Sequence, residues 1–246
     1  MEQARWPKGL IRWSIAPVCL ALAGCGGEAD TAEAPPRETT QAGQGAPIEA
    51  DVPVMGPERR ILAFGDSLFA GYNVDASESY PARLQAALRA RGVNASVANA
   101  GVSGDTSAAG RQRFEFTLDA QEETPDLLIL ELGGNDLLRG LSPDETRANL
   151  AAMIETAQAR GIEVLLMGMQ APANMGPRFV RDFGAVYPSL AEEYGVDLIP
   201  FWVESVASRP DLIQDDRIHP TAEGIEVLVG DTVDEVLAAL PEDDAR

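Results

Sequence analysis

Ser67, Asp216 and His219 are the residues from which this chain could build a reaction. Ser67 sits in Gly65-Asp66-Ser67-Leu68, directly after the apolar run Ile61-Leu62-Ala63-Phe64, and His219 sits near the other end in Asp216-Arg217-Ile218-His219-Pro220. A serine hydroxyl is a weak nucleophile until a base takes its proton. Imidazole suits that work near neutral pH, and a carboxylate can fix its tautomer and stabilise the imidazolium. His219 is the single histidine of the 246 residues, so as a base it has no rival, and Asp216 is its candidate partner. Each residue also has a plainer reading. Ser67 could be a helix N-cap, His219 a loop residue held extended by Pro220, and Asp216 part of an acidic turn with Asp215. Together they outline acyl transfer through a serine.

Acyl transfer also needs donors for a tetrahedral oxyanion, and loss of one typically costs about 10²–10³ in rate. Two stretches offer them, each following an apolar run. Gly133-Gly134-Asn135-Asp136 presents the Asn135 amide, and Asn99 to Thr106 contains Gly104 with its backbone N–H. The plainer alternatives are a glycine turn with asparagine in a left-handed conformation, and a simple loop.

Side chains so far apart in sequence must be brought together by a scaffold, and the pattern after Arg60 alternates strand with helix. Ile61 to Phe64 and Leu127 to Leu130 are short continuous apolar runs, as expected of parallel strands buried on both faces. Val93 to Ala98, Val164 to Met169 and Val196 to Phe201 are further strand candidates. Leu84, Ala87 and Leu88 mark a helix ending near Gly92. Ser142-Pro143-Asp144-Glu145 reads as a capping box with proline at the first helical position. Phe179 to Tyr194, kinked at Pro188, and Ala222 to Leu240 read as helices. The expectation is an α/β domain with a parallel sheet covered on both faces, the site lying at the carboxyl ends of the strands.

Composition narrows the function. The formal charge is −20, and residues 25–246 hold 16 basic against 38 acidic side chains. So negative a surface repels phosphate backbones, and nucleic acid is not expected as a partner. Lys8 is the only lysine and lies in the N-terminal segment, which excludes Schiff-base and lysine-base chemistry.

Residues 1–24 read as an export signal, with a basic stretch through Arg12 and the apolar run Ile15 to Ala23. Leu22-Ala23-Gly24-Cys25 looks like a bacterial lipobox, with Cys25 lipidated, and acyl chains would then hold the protein at a membrane. Ala21-Leu22-Ala23 also meets an A-x-A cleavage rule that would release a soluble periplasmic protein. Residues 25–58, rich in Ala, Gly, Pro, Glu and Thr, read as a flexible tether, leaving 59–246 as the folded domain.

In order, Gly65-Asp66-Ser67-Leu68, Ser103-Gly104-Asp105, Gly133-Gly134-Asn135-Asp136 and Asp216-x-x-His219 resemble the four blocks of the SGNH (GDSL) hydrolases. Asn99 to Thr106, Leu130 to Arg139 and Pro172-Ala173-Asn174 resemble their bacterial esterase group of thioesterase I, protease I, lysophospholipase L1 and arylesterases. The resemblance implies a flavodoxin-like three-layer α/β/α fold with a five-stranded parallel sheet. It further implies Ser67 as nucleophile, His219 as base and Asp216 as its partner, with the Ser67 N–H, the Gly104 N–H and the Asn135 side chain as oxyanion donors. No metal or organic cofactor is called for.

Leu137, Leu138, Ala171, Pro172 and Met175 are the expected pocket walls, although each could equally be a packing residue. An apolar wall favours aryl or medium to long acyl esters, lysophospholipids included. Export makes thioesters of coenzyme A poor physiological substrates. Deacetylation of an envelope polysaccharide, or a non-catalytic envelope-binding lipoprotein, are the competing readings.

Overall fold

The computed structural model describes residues 54–242. The export signal, Cys25 and most of the tether lie outside the described residues.

Five parallel strands form one sheet in the order β2-β1-β3-β4-β5: β1 (Arg59–Gly65), β2 (Ala95–Gly101), β3 (Leu127–Leu130), β4 (Glu163–Met167) and β5 (Asp197–Ile199). Nine α-helices accompany them among the described residues: α1 (Ser67–Ala70), α2 (Tyr80–Ala90), α3 (Ser107–Asp119), α4 (Gly134–Leu138), α5 (Pro143–Ala159), α6 (Pro177–Gly184), α7 (Val186–Tyr194), α8 (Glu204–Ala207) and α9 (Ala222–Ala239). Strand alternation sorts the core into two layers. Ile61 and Ala63 of β1 and Ile129 of β3 point to α2 and α9, where Leu84, Leu88, Leu228 and Val233 are buried. Leu62, Phe64 and Leu130 point the other way, to α3, α5 and α7, against Phe114, Leu150, Ile154 and Leu190. This is the expected three-layer α/β/α arrangement, with continuous apolar strands because both faces are covered.

β1 lies between β2 and β3, so the chain passes to one side of β1 and then to the other. The loops leaving β1 and β3 therefore diverge at their carboxyl ends and open a crevice. The register pairs Phe64 with Leu130, which places Ser67 and Asn135, each a few residues beyond its strand, around that crevice. At the opposite pole, Met55, Gly56 and Pro57 share a hollow with Leu237, Leu240 and Pro241, so the two ends of the domain meet there.

Several local expectations are corrected. β2, β4 and β5 are displaced or shorter than their apolar runs, because Val93 and Met169 lie in connections while Asn99 to Gly101 still pair with β1. Ser142 does not form a capping box. Its carbonyl instead accepts the Thr146 N–H, while Pro143 opens α5 as expected. The segment 179–194 is two helices rather than one kinked helix. The break falls at Ala185, beside the Gly184 carbonyl to which Pro188 has no N–H to offer.

Candidate active site

Ser67 opens α1, and Asp66 caps it by accepting the Leu68 N–H on Oδ1 at 3.0 Å. The hydroxyl therefore stands at a helix start directly beyond a buried strand. His219 reaches it from the connection between α8 and α9, with Nε2 2.8 Å from Ser67 Oγ. The other ring nitrogen, Nδ1, is 2.6 Å from Asp216 Oδ2.

The three-residue spacing of Asp216 and His219 has a local cause. Asp216 Oδ1 accepts the N–H groups of Ile218 and His219, both at 3.0 Å, closing a tight turn around its own carboxylate. Arg217, in the middle, takes a left-handed φ of 62°, a conformation that costs a non-glycine residue roughly 1–2 kcal/mol. The imidazole is steadied on its flat side by Tyr72, whose ring centroid is 4.3 Å away.

The oxyanion side comes from two other loops. Asn135 lies in α4 directly after β3, and its Nδ2 donates to Asp66 Oδ2 at 3.0 Å. One of the two amide hydrogens is thereby engaged, and the other is free to meet substrate. Gly104 takes φ 88°, which a side chain would strain, and its carbonyl accepts Arg139 Nη2 at 2.8 Å. The next residue, Asp105, binds Arg113 Nε at 2.6 Å, while Arg113 Nη2 donates to the Gly65 carbonyl at 3.0 Å. The Gly104 loop is thus anchored to the end of β1. Asp136 is turned inward, taking the Ser107 N–H at 2.7 Å and the Thr146 hydroxyl at 3.0 Å, which fixes α4 against α3 and α5.

Ser67, Gly104, Asn135 and His219 all border one cleft of about 450 Å³. A hydroxyl paired with imidazole, a carboxylate behind the ring, and amide donors across the cleft make up the machinery of serine acyl transfer. Residues 63–227 match the GDSL-like Lipase/Acylhydrolase family.

The chain belongs to that family. Esterase TesA of Pseudomonas aeruginosa is 43% identical over 160 residues, covering 65% of this chain and 79% of that protein. Thioesterase 1/protease 1/lysophospholipase L1 of Escherichia coli K12 is 42% identical over 160 residues, 65% of this chain and 74% of its own. Among solved structures, AlinE4, an SGNH-hydrolase family esterase, is 60% identical with a TM-score of 0.65 over 76% of this chain and 100% of its own.

Within this GDSL scaffold the structure brings together Ser67, Asp216, His219, Gly104 and Asn135. Of the expected walls, Leu137 and Leu138 border the cleft, Leu137 buried and Leu138 61% exposed. Ala171, Pro172 and Met175 do not. After β4 the chain leaves the cleft, and Pro172 leads into a short 3-10 turn that carries Met175 to a separate groove with Pro143 and Phe179. Met169, two residues before Ala171, borders the cleft instead, with Tyr72, Val203 and Ile218. These four were missed, since each lies beyond a strand or inside a loop where periodicity carries no signal. Asp66 was visible within the Gly65-Asp66-Ser67-Leu68 stretch, but its task of holding Asn135 appears only when β1 and β3 are side by side.

Proposed function

We propose that this chain is a serine esterase that takes aryl and medium- to long-chain acyl esters, lysophospholipids included, on the periplasmic side of a bacterial membrane. The esterase reading is carried by one observation: Ser67 Oγ, His219 and Asp216 form a continuous hydrogen-bonded line, at 2.8 Å and 2.6 Å, with Ser67 and His219 bordering the cleft. Ser67 Oγ attacks the ester carbonyl as His219 Nε2 takes its proton, and the carbonyl oxygen becomes an oxyanion facing the Ser67 N–H, the Gly104 N–H and Asn135 Nδ2. Collapse of that intermediate breaks the bond to the alcohol, which leaves with the proton from His219. Water then attacks the acyl-enzyme through the same base and regenerates the hydroxyl.

The acyl preference is supported by the cleft wall. Leu68, Tyr72, Leu137, Leu138, Met169, Val203 and Ile218 give the carbonyl site an apolar surround, with room for more than an acetyl group. The names of the relatives, an esterase and a lysophospholipase among them, point the same way. Location rests on the lipobox ending in Cys25.

A fluorophosphonate probe and a series of p-nitrophenyl esters from acetate to palmitate test the reading. Wild-type protein is expected to take up one probe on Ser67 and to prefer chains longer than acetate. Folded protein that takes up no probe would make it a binder, and activity confined to acetate would make it a deacetylase.

A further inference from the structure

Glu131 directly follows β3 and is 0% exposed, yet no step of the acyl transfer uses it. A carboxyl removed entirely from water is costly unless it is paired or neutral. Oε2 accepts the Asp66 N–H at 3.1 Å, while Oε1 has no hydrogen-bond partner among the described residues. Asp66 is in turn the residue that caps Ser67's helix through Oδ1 and holds Asn135 Nδ2 through Oδ2.

We infer that Glu131 is a positioning residue for the esterase, fixing Asp66 from beneath so that Asp66 aims the Asn135 amide at the oxyanion. The inference rests on the esterase reading above. Glu131 does not line the cleft, and its hydrogen bond goes to Asp66, so it acts through one intermediary. Without the Glu131 oxygen, the Asp66 N–H is left unpaired in the core, and the residue that sets both Ser67 and Asn135 loses its support.

The surroundings favour a neutral Glu131 beside an ionised Asp66. Burial pushes the Glu131 carboxyl well above its usual range, and the negative charge of Asp66 pushes it further. Burial raises Asp66 as well, against the hydrogen bonds from the Leu68 N–H and Asn135 Nδ2 and the pull of His219. The charge of the pair therefore rests on Asp66, which has those donors around it. Tyr187, from α7, and Asp136, from α4, are the other titratable groups in the neighbourhood. Burial and the carboxyls of Glu131, Asp136 and Asp66 drive the Tyr187 phenol well above its ordinary value, so it stays neutral. A neutral carboxyl is matched in shape and hydrogen bonding by an amide, and that supplies the test.

Steady-state and single-turnover kinetics on a p-nitrophenyl ester are compared for wild type, Glu131→Gln, Glu131→Met, Glu131→Asp, Asn135→Ala and the combinations of the last with each of the other three. Wild-type turnover, and its loss in Ser67→Ala, first establish the esterase itself. Glu131→Gln is expected to keep at least a third of wild-type kcat. Glu131→Met and Glu131→Asp, which lack the oxygen at the right reach, are expected to lose kcat by about 10–100-fold, with KM changed less than about threefold. In the Asn135→Ala background the same changes are expected to cost less than about threefold, because their effect is already spent. Thermal unfolding identifies the folded variants, and either Met or Asp suffices if the other fails to fold. Full kcat in a folded Met or Asp variant, an undiminished loss in the Asn135→Ala background, or a Gln variant as impaired as Met, overturns the inference. If both Met and Asp variants fail to fold, a purely structural Glu131 is the conclusion.

Discussion

Asp216 shows how a single exposed-side carboxylate is adapted to its task. Partial desolvation works to raise its pKa, but hydrogen bonds from the His219 ring, the His219 N–H and the Ile218 N–H outweigh it and hold the group at about 2. A folded value below the ordinary 3.8 means the folded state favours the ionised form. Stability from this carboxylate is then fully present above about pH 4 and is lost as pH falls through about 2. Asp216→Asn is expected to lower kcat by about 10²–10⁴ at neutral pH, through loss of the imidazolium partner. It should also unfold more easily than wild type at pH 6, with the difference in urea midpoint closing near pH 2. A gap that stays constant down to pH 2 would show that the turn does not depend on the charge. Ser67→Ala and His219→Ala are each expected to remove nearly all turnover while the chain stays folded, since the pair acts as a unit. Full hydrolysis by either would refute the assignment.

The same scale shows what the sequence makes readable. Ser67 and His219 stand out because serine after a buried strand and a lone histidine are chemically distinctive, and Asp216 lies within one turn of its partner. Glu131 gives no such sign. In sequence it is an acid closing an apolar run, and its meaning depends on the register that sets β3 beside β1. Met169 was likewise passed over in favour of Ala171, Pro172 and Met175, because the direction in which a chain turns after a strand is a tertiary property.

Among the elements, β1 and β3 are legible because a parallel strand covered on both faces must be apolar at every position. α3 was missed for the opposite reason. Its inward positions Ser107, Gly110, Phe114 and Leu118 include only two large apolar residues, and Phe116 on the outer face is 77% exposed, which erases the helical stripe. The joint between β3 and α4 is more demanding than any helix. Gly133 has φ 116°, and a Cβ there would lie 2.2 Å from the Tyr187 hydroxyl, which donates to the Leu132 carbonyl at 2.9 Å. Gly133→Ala is expected to destabilise the fold by roughly 2–4 kcal/mol, from backbone strain and the collision together. Tyr187→Phe alone should cost about 1–2 kcal/mol for the lost hydrogen bond. The double variant should be more stable than the two losses combined, read from urea midpoints, because the collision is gone. Additive losses would show that α7 does not constrain the joint.

At the scale of the molecule, the acidic surface bears on how the protein could meet a membrane. Most arginines of the folded region are matched to carboxylates spread around the surface, as in Arg60 with Glu58 and Glu123, Arg83 with Glu226 and Arg160 with Asp119. Exposed pairs of this kind contribute little to stability, and the excess of acids still disfavours an anionic membrane surface. The proposed membrane association would then rest on lipidation of Cys25 rather than on surface charge. Cys25→Ala is expected to move the protein from the membrane fraction to the soluble fraction, and unchanged partitioning would reject lipidation.

The hollow shared by Met55, Gly56, Leu237 and Leu240 has a practical consequence. β1 starts there at Arg59 and ends at Gly65, about 20 Å away by the rise of a strand, on the side of the nucleophile. Start and finish of the globule thus sit together at the amino ends of the strands, as in modules that tolerate being spliced into a host. Such a graft into a surface loop of a carrier protein would leave the mouth of the cleft pointing outward, open to bulky esters.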